Sequence, residues 1–375
     1  MTTVYLIRHT QAEGNLYRAM QGQWDGDITE IGVHQIDALR RRMENEQIDA
    51  VYSSDLYRAY VTAYYGIAAP RNLKIKKDAR LRELNVGSIE REFFGNVYHS
   101  EPEMSEIFMF DSEKWVCQGA ETFDDVRQRM YAAIEDIAKE NDGKTVAVCS
   151  HGVSLRCFLS KVYGVNLKDV ETVPICKNTA VTKLEYEDGK FSVVYKNQYD
   201  HLGKYDPPKW NSTADLRDEK IDFAKDAKYY IDCYSDGWSF AHGGSIEGFE
   251  PNIYLACAKE HSHYDSHAVR MLYEKDKRAG IVDLDTARGE DEGYGWISFL
   301  YLEPEYRGKG YGIQALGRAI LLYDKLGRSS IRLTVNKQNT IAIAFYKKYD
   351  FEIIKDEGNL LLMERKLTKR LPLQY

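Results

Sequence analysis

The sequence predicts two α/β domains in tandem. The first is a three-layer α/β/α domain with a mostly parallel sheet over residues 1–205, and the second is an α+β domain with a mixed, mainly antiparallel sheet over 214–367, with a linker at 206–213 and a C-terminal tail at 368–375. Three observations carry this expectation. A chain of 375 residues is too long for one ordinary core. In the first half, apolar runs such as Val4–Ile7, Ile48–Tyr52 and Thr145–Cys149 alternate with segments of helical period, the pattern of strands buried on both faces of a parallel sheet. In the second half, short strand candidates follow one another across polar turns, which suits antiparallel pairing.

Composition narrows the class. The chain is 43% hydrophobic and 29% charged, as soluble globular proteins are. No run approaches the roughly 18 apolar residues of a membrane span and the N-terminus lacks a signal-peptide pattern, so neither membrane nor secretion is expected and the cytoplasm is. A net charge of -7 without a long basic run gives a nucleic-acid partner no electrostatic support. The six cysteines show no paired short spacing, and several lie in apolar runs, which predicts buried free thiols rather than disulfides or a metal site.

The elements of the first half follow in order. Val4–Ile7 forms a strand that ends in Arg8 and His9, at the carboxyl edge where open α/β sheets bind ligands. Thr10–Asn15 is a polar turn of small residues. Ile36, Leu39 and Met43 recur at helical spacing within 35–43. Ile48–Tyr52 is a second strand, and Ser53, Ser54 and Asp55 are N-cap residues for a helix with Arg58 in its first turn. Glu83 stands in the connection after Asp78. Thr145–Ser150 repeats the opening pattern, a buried run ending in His151 and Gly152 before a helix. The aromatic-rich segment 92–118 either caps the strand-end site or packs a small core of its own.

Two strand-end histidines, two arginines and a glutamate have a definite chemical sense. A neutral imidazole attacks phosphorus, the arginines and a second, protonated imidazole hold the phosphoryl oxygens, and a carboxylic acid protonates the leaving oxygen, with no metal required. In the run Arg8-His9-Thr10-Gln11-Ala12-Glu13-Gly14-Asn15, the stretch Ser53–Thr62, then Glu83 and His151-Gly152 in order, residues 1–205 resemble the histidine phosphatase (phosphoglycerate mutase-like) superfamily. Asn178–Val181 and Asn197–Leu202 are similar to its closing strands. The resemblance implies that His9 is the nucleophile and becomes phosphohistidine, that Glu83 is general acid and then base for water, that Arg8, Arg58 and His151 bind the phosphoryl group, and that Asn15 adds a contact. The substrate it implies is a small phosphorylated metabolite. Thr10 and Ala12 depart from the family's usual glycine and hydroxyl residue, so one phosphate hydrogen bond is expected to be missing or relocated. A phosphoglycerate mutase would use the same five residues and return the phosphoryl group to substrate.

The second half begins beyond the turn-rich, proline-paired stretch 203–213. The spacing of Leu216, Ile221, Phe223, Ala227 and Tyr230 predicts a helix over 216–230, followed by a flexible loop at 238–244. Ile253–Ala258, Ala268–Tyr273 and Gly280–Leu284 are then strand candidates. A strand ends before Pro304, a glycine-rich turn follows, and Ile313–Leu326 is a helix with Leu316, Ala319, Ile320 and Tyr323 on one face. Closely spaced glycines before a helix let its N–H groups and dipole converge on a pyrophosphate. Gly310-x-Gly312-x-x-Ala315 also fits the dinucleotide pattern, but too little chain follows for a Rossmann fold, and no acid stands at the expected offset.

In Arg307-x-x-Gly310-x-Gly312, the strand and helix over Val335–Lys348 and the hairpin Phe351–Glu364, residues 214–367 resemble the GCN5-related N-acetyltransferases. The resemblance implies an acetyl-CoA cradle at Leu302, Arg307, Gly308, Lys309, Gly310, Tyr311 and Gly312, a pantetheine arm between the strands ending at Leu302 and Val335, and Asn339 and Tyr346 near the thioester. Tyr346 would protonate the leaving thiolate. The acceptor is an amine on a small molecule or peptide. Glu303, Asp283 and Asp285 stay open as general bases, and Trp238, Phe240 and His242 are acceptor-site candidates. A non-catalytic acyl-CoA sensor is the alternative for this half.

Overall fold

The computed structural model describes residues 1–206, 215–368 and 370–373, so the greater part of the expected linker lies outside the described residues. These residues form two compact units, one of 1–92, 97–206 and 370–373, the other of 93–96 and 215–368. Among them, no helix is long and apolar enough to cross a membrane.

The first unit is a three-layer α/β/α fold. In chain order the elements of residues 1–206 are β1 (Thr2–Arg8), α1 (Glu13–Tyr17), α2 (Glu30–Met43), β2 (Ala50–Ser53), α3 (Tyr57–Ala63), β3 (Ile75–Lys77), α4 (Phe94–Ser100), α5 (Pro102–Phe110), α6 (Phe123–Glu140), β4 (Thr145–Ser150), α7 (Gly152–Val162), β5 (Val181–Glu187) and β6 (Lys190–Gln198). The sheet order is β3-β2-β4-β1-β5-β6. Its first four strands are parallel, and β5 and β6 add an antiparallel edge. The continuous apolar runs of β1 and β4 reflect burial on both faces: Val4, Leu6, Ile7, Val146, Ala147 and Val148 are at most 1% exposed. The long helices carry their own start signals. Thr29 caps α2 by accepting from Gly32 N at 3.0 Å, and Thr122 and Asp125 form a reciprocal capping box on α6.

The cap expected for α3 is different. Its N-cap is Leu56 and makes no side-chain bond; Asp25 Oδ1 accepts from Tyr57 N instead, and Asp55 is drawn away into an ion pair with Arg82. In the segment 92–118, Phe108 and Trp115 pack edge to face with each other and with Phe123, and Trp115 is 1% exposed. These aromatics build a local core.

The second unit contains β7 (Leu216–Lys220), α8 (Phe223–Ala241), α9 (Pro251–Tyr264), β8 (Val269–Glu274), β9 (Lys277–Asp285), β10 (Tyr294–Leu302), α10 (Tyr311–Lys325), β11 (Ser330–Asn336), α11 (Thr340–Lys348), β12 (Glu352–Glu357) and β13 (Leu360–Lys366). The sheet order is β12-β13-β11-β10-β9-β8-β7, antiparallel except for β10 with β11.

Three sequence expectations fail here. Residues 216–220 are a strand, because pairing with β8 from Leu216↔Glu274 to Lys220↔Arg270 outweighs the helical spacing. The helix starts only at Phe223, where Asp222 Oδ1 accepts from Ala224 N at 3.1 Å. Residues 238–241 are not loop: α8 continues through Trp238 and Phe240 to Ala241, and Gly237 lets it approach β10 so closely that a Cβ there would lie 3.0 Å from the Phe299 ring. Ile253–Ala258 belongs to α9, with Pro251 in its first turn and Ala258 and Ser262 buried one turn apart, a helical period that a short apolar run conceals. Of the six free cysteines, Cys149, Cys157, Cys176 and Cys233 are buried as expected, but Cys117 is half-buried and Cys257 exposed.

Candidate active site

In the first unit, the parallel register places Arg8 of β1 beside Ser150 of β4, so the residues that follow, His9 and His151, emerge side by side at the carboxyl edge. Their ring centroids are 5.1 Å apart. Both imidazoles are buried, at 3% and 0% exposure. Burial, reinforced by the charges of Arg58 and Arg8, holds His9 well below its ordinary pKa of 6.5. His151 is likewise held low by burial and then by Arg58, so it is neutral in this site rather than protonated as the sequence suggested.

The tautomer of His9 follows from its partner. His9 Nδ1 lies 2.6 Å from Thr10 O, and a carbonyl can only accept, so the proton sits on Nδ1 and the lone pair on Nε2. Asn178 Nδ2 donates to His9 O at 2.9 Å, and Thr10 N donates to Thr62 Oγ1 at 3.0 Å, which fixes the backbone around the ring. Thr10 Oγ1 points away, donating to Gly32 O at 2.5 Å. Ala12 has no hydroxyl. The departure noted in the sequence is therefore not made up by Thr10.

The arginines are framed by backbone carbonyls. Arg58 Nη1 and Nη2 donate to Trp24 O at 2.9 Å and Gly22 O at 2.7 Å, and burial pushes its pKa down to about 10. Arg8 Nη1 donates to Cys176 O at 2.6 Å. Arg8 also lies against Gly152 at the start of α7, where a Cβ would stand 3.3 Å from its guanidinium carbon. Arg8 Nε, Arg58 Nε and His151 Nδ1 are buried and have no partner among the described residues, while His151 Nε2 meets Ser54 Oγ at 2.8 Å. Buried guanidinium N–H groups without acceptors suit an anion.

Glu83 is held by the N-terminus of α7. Its Oε1 accepts from Leu84 N, Ser154 N and Ser154 Oγ at 3.0, 2.8 and 3.0 Å, and its Oε2, among the described residues, from Val153 N alone at 3.1 Å. Asn15 holds the turn: its Oδ1 accepts from Ala12 N at 3.1 Å and from Asn178 Nδ2 at 3.4 Å. Sequence reasoning missed Ser54 as the partner of His151, and it missed Gln21, whose amide is buried with neither atom hydrogen-bonded among the described residues. Ser54 stood in a noticed turn; Gln21 gave no signal of its own.

In the second unit, β10 and β11 pair over Tyr294–Trp296 and Ser330–Arg332, and each strand then runs on, to Leu302 and Asn336. Arg307 folds back, its Nε donating to Leu302 O at 2.8 Å. Gly308 and Gly310 adopt φ of 72° and 87°, and Gly310 is the N-cap of α10, so the turn at 307–312 presents the helix N-terminus with little side chain in the way. A Cβ on Gly312 would lie 2.9 Å from the Phe345 ring. This cradle fits a pyrophosphate; within it Lys309 is exposed and Tyr311 buried.

Asn339 caps α11, its Oδ1 accepting from Ala342 N at 3.0 Å. Tyr346 is 9% exposed between Phe345 and Phe351, and burial raises its phenol pKa, so it keeps its proton at neutral pH. The three candidate bases separate. Asp283 is 1% exposed and accepts from Tyr230 Oη and His261 Nδ1, both at 2.7 Å. Asp285 lies 3.5 Å from His261 Nε2; burial opposes the charge on this imidazole, but the two aspartates raise it to about 10. Glu303 follows Leu302 directly and accepts from Tyr229 Oη at 2.6 Å and Tyr301 Oη at 3.3 Å. Phe240, 47% exposed, lies 5.2 Å from the Arg307 guanidinium, whereas Trp238 and His242 stack on each other at 4.3 Å.

Comparison with known proteins agrees with both halves. Residues 4–199 match the model of the histidine phosphatase superfamily (branch 1), and residues 216–351 match that of the acetyltransferase (GNAT) family. Phosphoserine phosphatase 1 of Hydrogenobacter thermophilus is 29% identical over 205 residues, 55% of this chain and 96% of that protein. A probable phosphoglycerate mutase GpmB of Yersinia pestis is 30% identical over 188 residues, 50% of this chain and 86% of that protein. Among solved structures, Bacillus stearothermophilus YhfR aligns with a TM-score of 0.52 at 31% identity, covering 54% of this chain and all of that one.

Proposed function

Because this chain belongs to the histidine phosphatase superfamily and carries a GNAT acetyltransferase domain after it, we propose that it is a bifunctional enzyme, a phosphomonoesterase working through phosphohistidine and an N-acetyltransferase using acetyl-CoA. The observation that supports the first activity is that Arg8 Nε, Arg58 Nε and His151 Nδ1 are buried without acceptors among the described residues, while the His151 ring lies 5.1 Å from that of a neutral His9 whose Nδ1 is already committed to Thr10 O and on which Arg58 and Arg8 act electrostatically.

The roles follow from that geometry. His9 Nε2 attacks phosphorus as the ester P–O bond breaks; Arg8, Arg58 and His151 hold the phosphoryl oxygens; Glu83 gives a proton to the leaving alkoxide, through Oε2, the oxygen with the greater remaining capacity. Glu83 then takes a proton from water as that water attacks the phosphohistidine, releasing inorganic phosphate and regenerating His9. Asn15 supports the turn beneath His9. The substrate is a small phosphorylated metabolite.

The test is hydrolysis of p-nitrophenyl phosphate by wild type and His9→Ala; equal rates would remove the phosphohistidine step. Release of inorganic phosphate without an isomeric product separates hydrolysis from a mutase reaction.

For the second activity, the diverging ends of β10 and β11 and the turn from Arg307 to Gly312 hold acetyl-CoA, which supplies an activated acyl group as its thioester. Glu303, at the end of β10 beside Leu302, receives the proton of the acceptor amine, and the Tyr346 hydroxyl delivers one to the departing thiolate. Asp283 and Asp285 are engaged by His261 and serve structure. Acetyl-CoA is expected to raise the Tm of the chain; no shift at concentrations far above a micromolar Kd would remove the cofactor assignment.

A further inference from the structure

Residues 370–373 come after the last strand of the second sheet, yet they pack within the first unit. Leu371 and Leu373 lie on the apolar cluster of Ile36, Tyr57 and Val61. Leu371 N donates to Tyr57 Oη at 2.6 Å, and Tyr65 Oη donates to Pro372 O. Arg370 sits where this segment meets the loop between α1 and α2. Its Nη2 donates to Asp25 O at 2.9 Å and to Asp25 Oδ2 at 3.1 Å, its Nε lies 3.4 Å from Asp27 Oδ1, and its guanidinium stands 4.7 Å from the centre of the Tyr57 ring.

These partners adjoin the frame of Arg58. Trp24 O and Gly22 O accept from the two terminal nitrogens of Arg58, and Tyr57 N, on the residue before it, donates to Asp25 Oδ1 at 2.6 Å. Glu90 secures the near end of the loop, accepting from Gly22 N and Gln23 N at 2.8 and 2.9 Å. The far end, Trp24 to Asp27, is tied to α3 by Asp25 and by Arg370 bridging Asp25, Asp27 and Tyr57. We propose that Arg370 is a positioning residue of the phosphatase site: the C-terminal segment clamps the 22–27 loop onto α3 and so fixes the Arg58 guanidinium for the phosphoryl group. The phosphatase thereby depends on residues 370–373, which follow the acetyltransferase sequence.

This rests on the phosphatase reading above, and the experiment separates the two. The full chain, Arg370→Ala and Arg370→Lys are compared in p-nitrophenyl phosphate hydrolysis, in inhibition by inorganic phosphate, and in amide hydrogen exchange of peptides covering 22–28 and 56–62. Arg370 is 47% exposed, so its ion pairs contribute little to stability and Tm should barely move. Arg370→Ala is expected to raise KM and the phosphate inhibition constant about threefold to tenfold with kcat within about twofold, because a binding group displaced by a fraction of an ångström loses ground-state and transition-state contacts alike. Exchange should quicken in both peptides, and Arg370→Lys should recover part of each effect. Unchanged constants with unchanged exchange overturn the proposal, as does a lowered Tm with KM unmoved, which would make the segment a structural tether only. A wild-type chain that neither hydrolyses the ester nor binds phosphate would refute the phosphatase reading instead; the clamp then stands or falls on exchange alone.

Discussion

Lowering the pH from 7.5 to 5.5 should cost the first unit stability through His9 and His151, and the size of that loss can be worked out. Both imidazoles are buried and held well below 6.5, first by burial and then by Arg58. In the unfolded chain each titrates near 6.5. The unfolded state therefore binds protons that the folded state refuses, so stability is whole above about pH 6.5 and is lost as pH falls from there toward the depressed folded values. At pH 5.5 the loss reaches at most about 1.4 kcal/mol per histidine, or roughly 2.8 kcal/mol for the pair, relative to pH 7.5, the limit set by rings that stay neutral in the folded chain. Surface carboxylates also titrate, but they do so equally in a His9→Gln/His151→Gln variant. Urea unfolding of both proteins at the two pH values isolates the pair: wild type should lose more than the variant between them, by up to about 2.8 kcal/mol. A ¹³C-histidine NMR titration reads the same groups directly. A midpoint near 6.5 for either ring, or an equal pH effect in the two proteins, would refute the placement of neutral imidazoles at the strand edge.

Three further outcomes follow from particular contacts. Gly152→Ala would put a Cβ 3.1 Å from Ile175 and 3.3 Å from the Arg8 guanidinium, and should weaken inorganic phosphate binding about tenfold with Tm little changed, measured by calorimetric titration. Gly312→Ala would bring a Cβ to 2.9 Å from the Phe345 ring; acetyl-CoA affinity should fall several-fold while p-nitrophenyl phosphate hydrolysis is untouched. Asp218 is 8% exposed in its side chain and accepts from Arg270 Nε and Arg318 Nε, each at 2.7 Å, so Asp218→Asn leaves the buried Arg318 and the half-buried Arg270 short of their counter-charge and should destabilise the second unit by about 3 kcal/mol in urea unfolding.

Much of the first unit was legible because its signals are local. Runs such as Val4–Ile7 and Thr145–Ser150 admit one arrangement, a strand buried on both faces, and each ends in the residue types that phosphoryl chemistry uses. The glycines of the turn at 307–312 were readable for the same reason, since closely spaced glycines before a helical period have few other uses. Segments whose state depends on a distant partner were not. Leu216–Lys220 has helical spacing and becomes a strand because β8 offers a ladder, and Ile253–Ala258 looks like a strand and is a helix face because α8 and the sheet cover its other periodic positions.

By itself, the sequence determined which side chains are available for chemistry and in what order they come, together with the two architectures that present them. Only the tertiary structure decided their states. Neutral rather than charged His151, the Nδ1 tautomer of His9, the pairing of Asp283 and Asp285 with His261 that leaves Glu303 at the strand end, and the reach of Arg370 to Asp25 all depend on burial and on partners many residues away. The physical reason is that composition sets a group's ordinary affinity for protons and partners, while the cost of desolvation and the field of neighbouring charges exist only once the chain has closed around it.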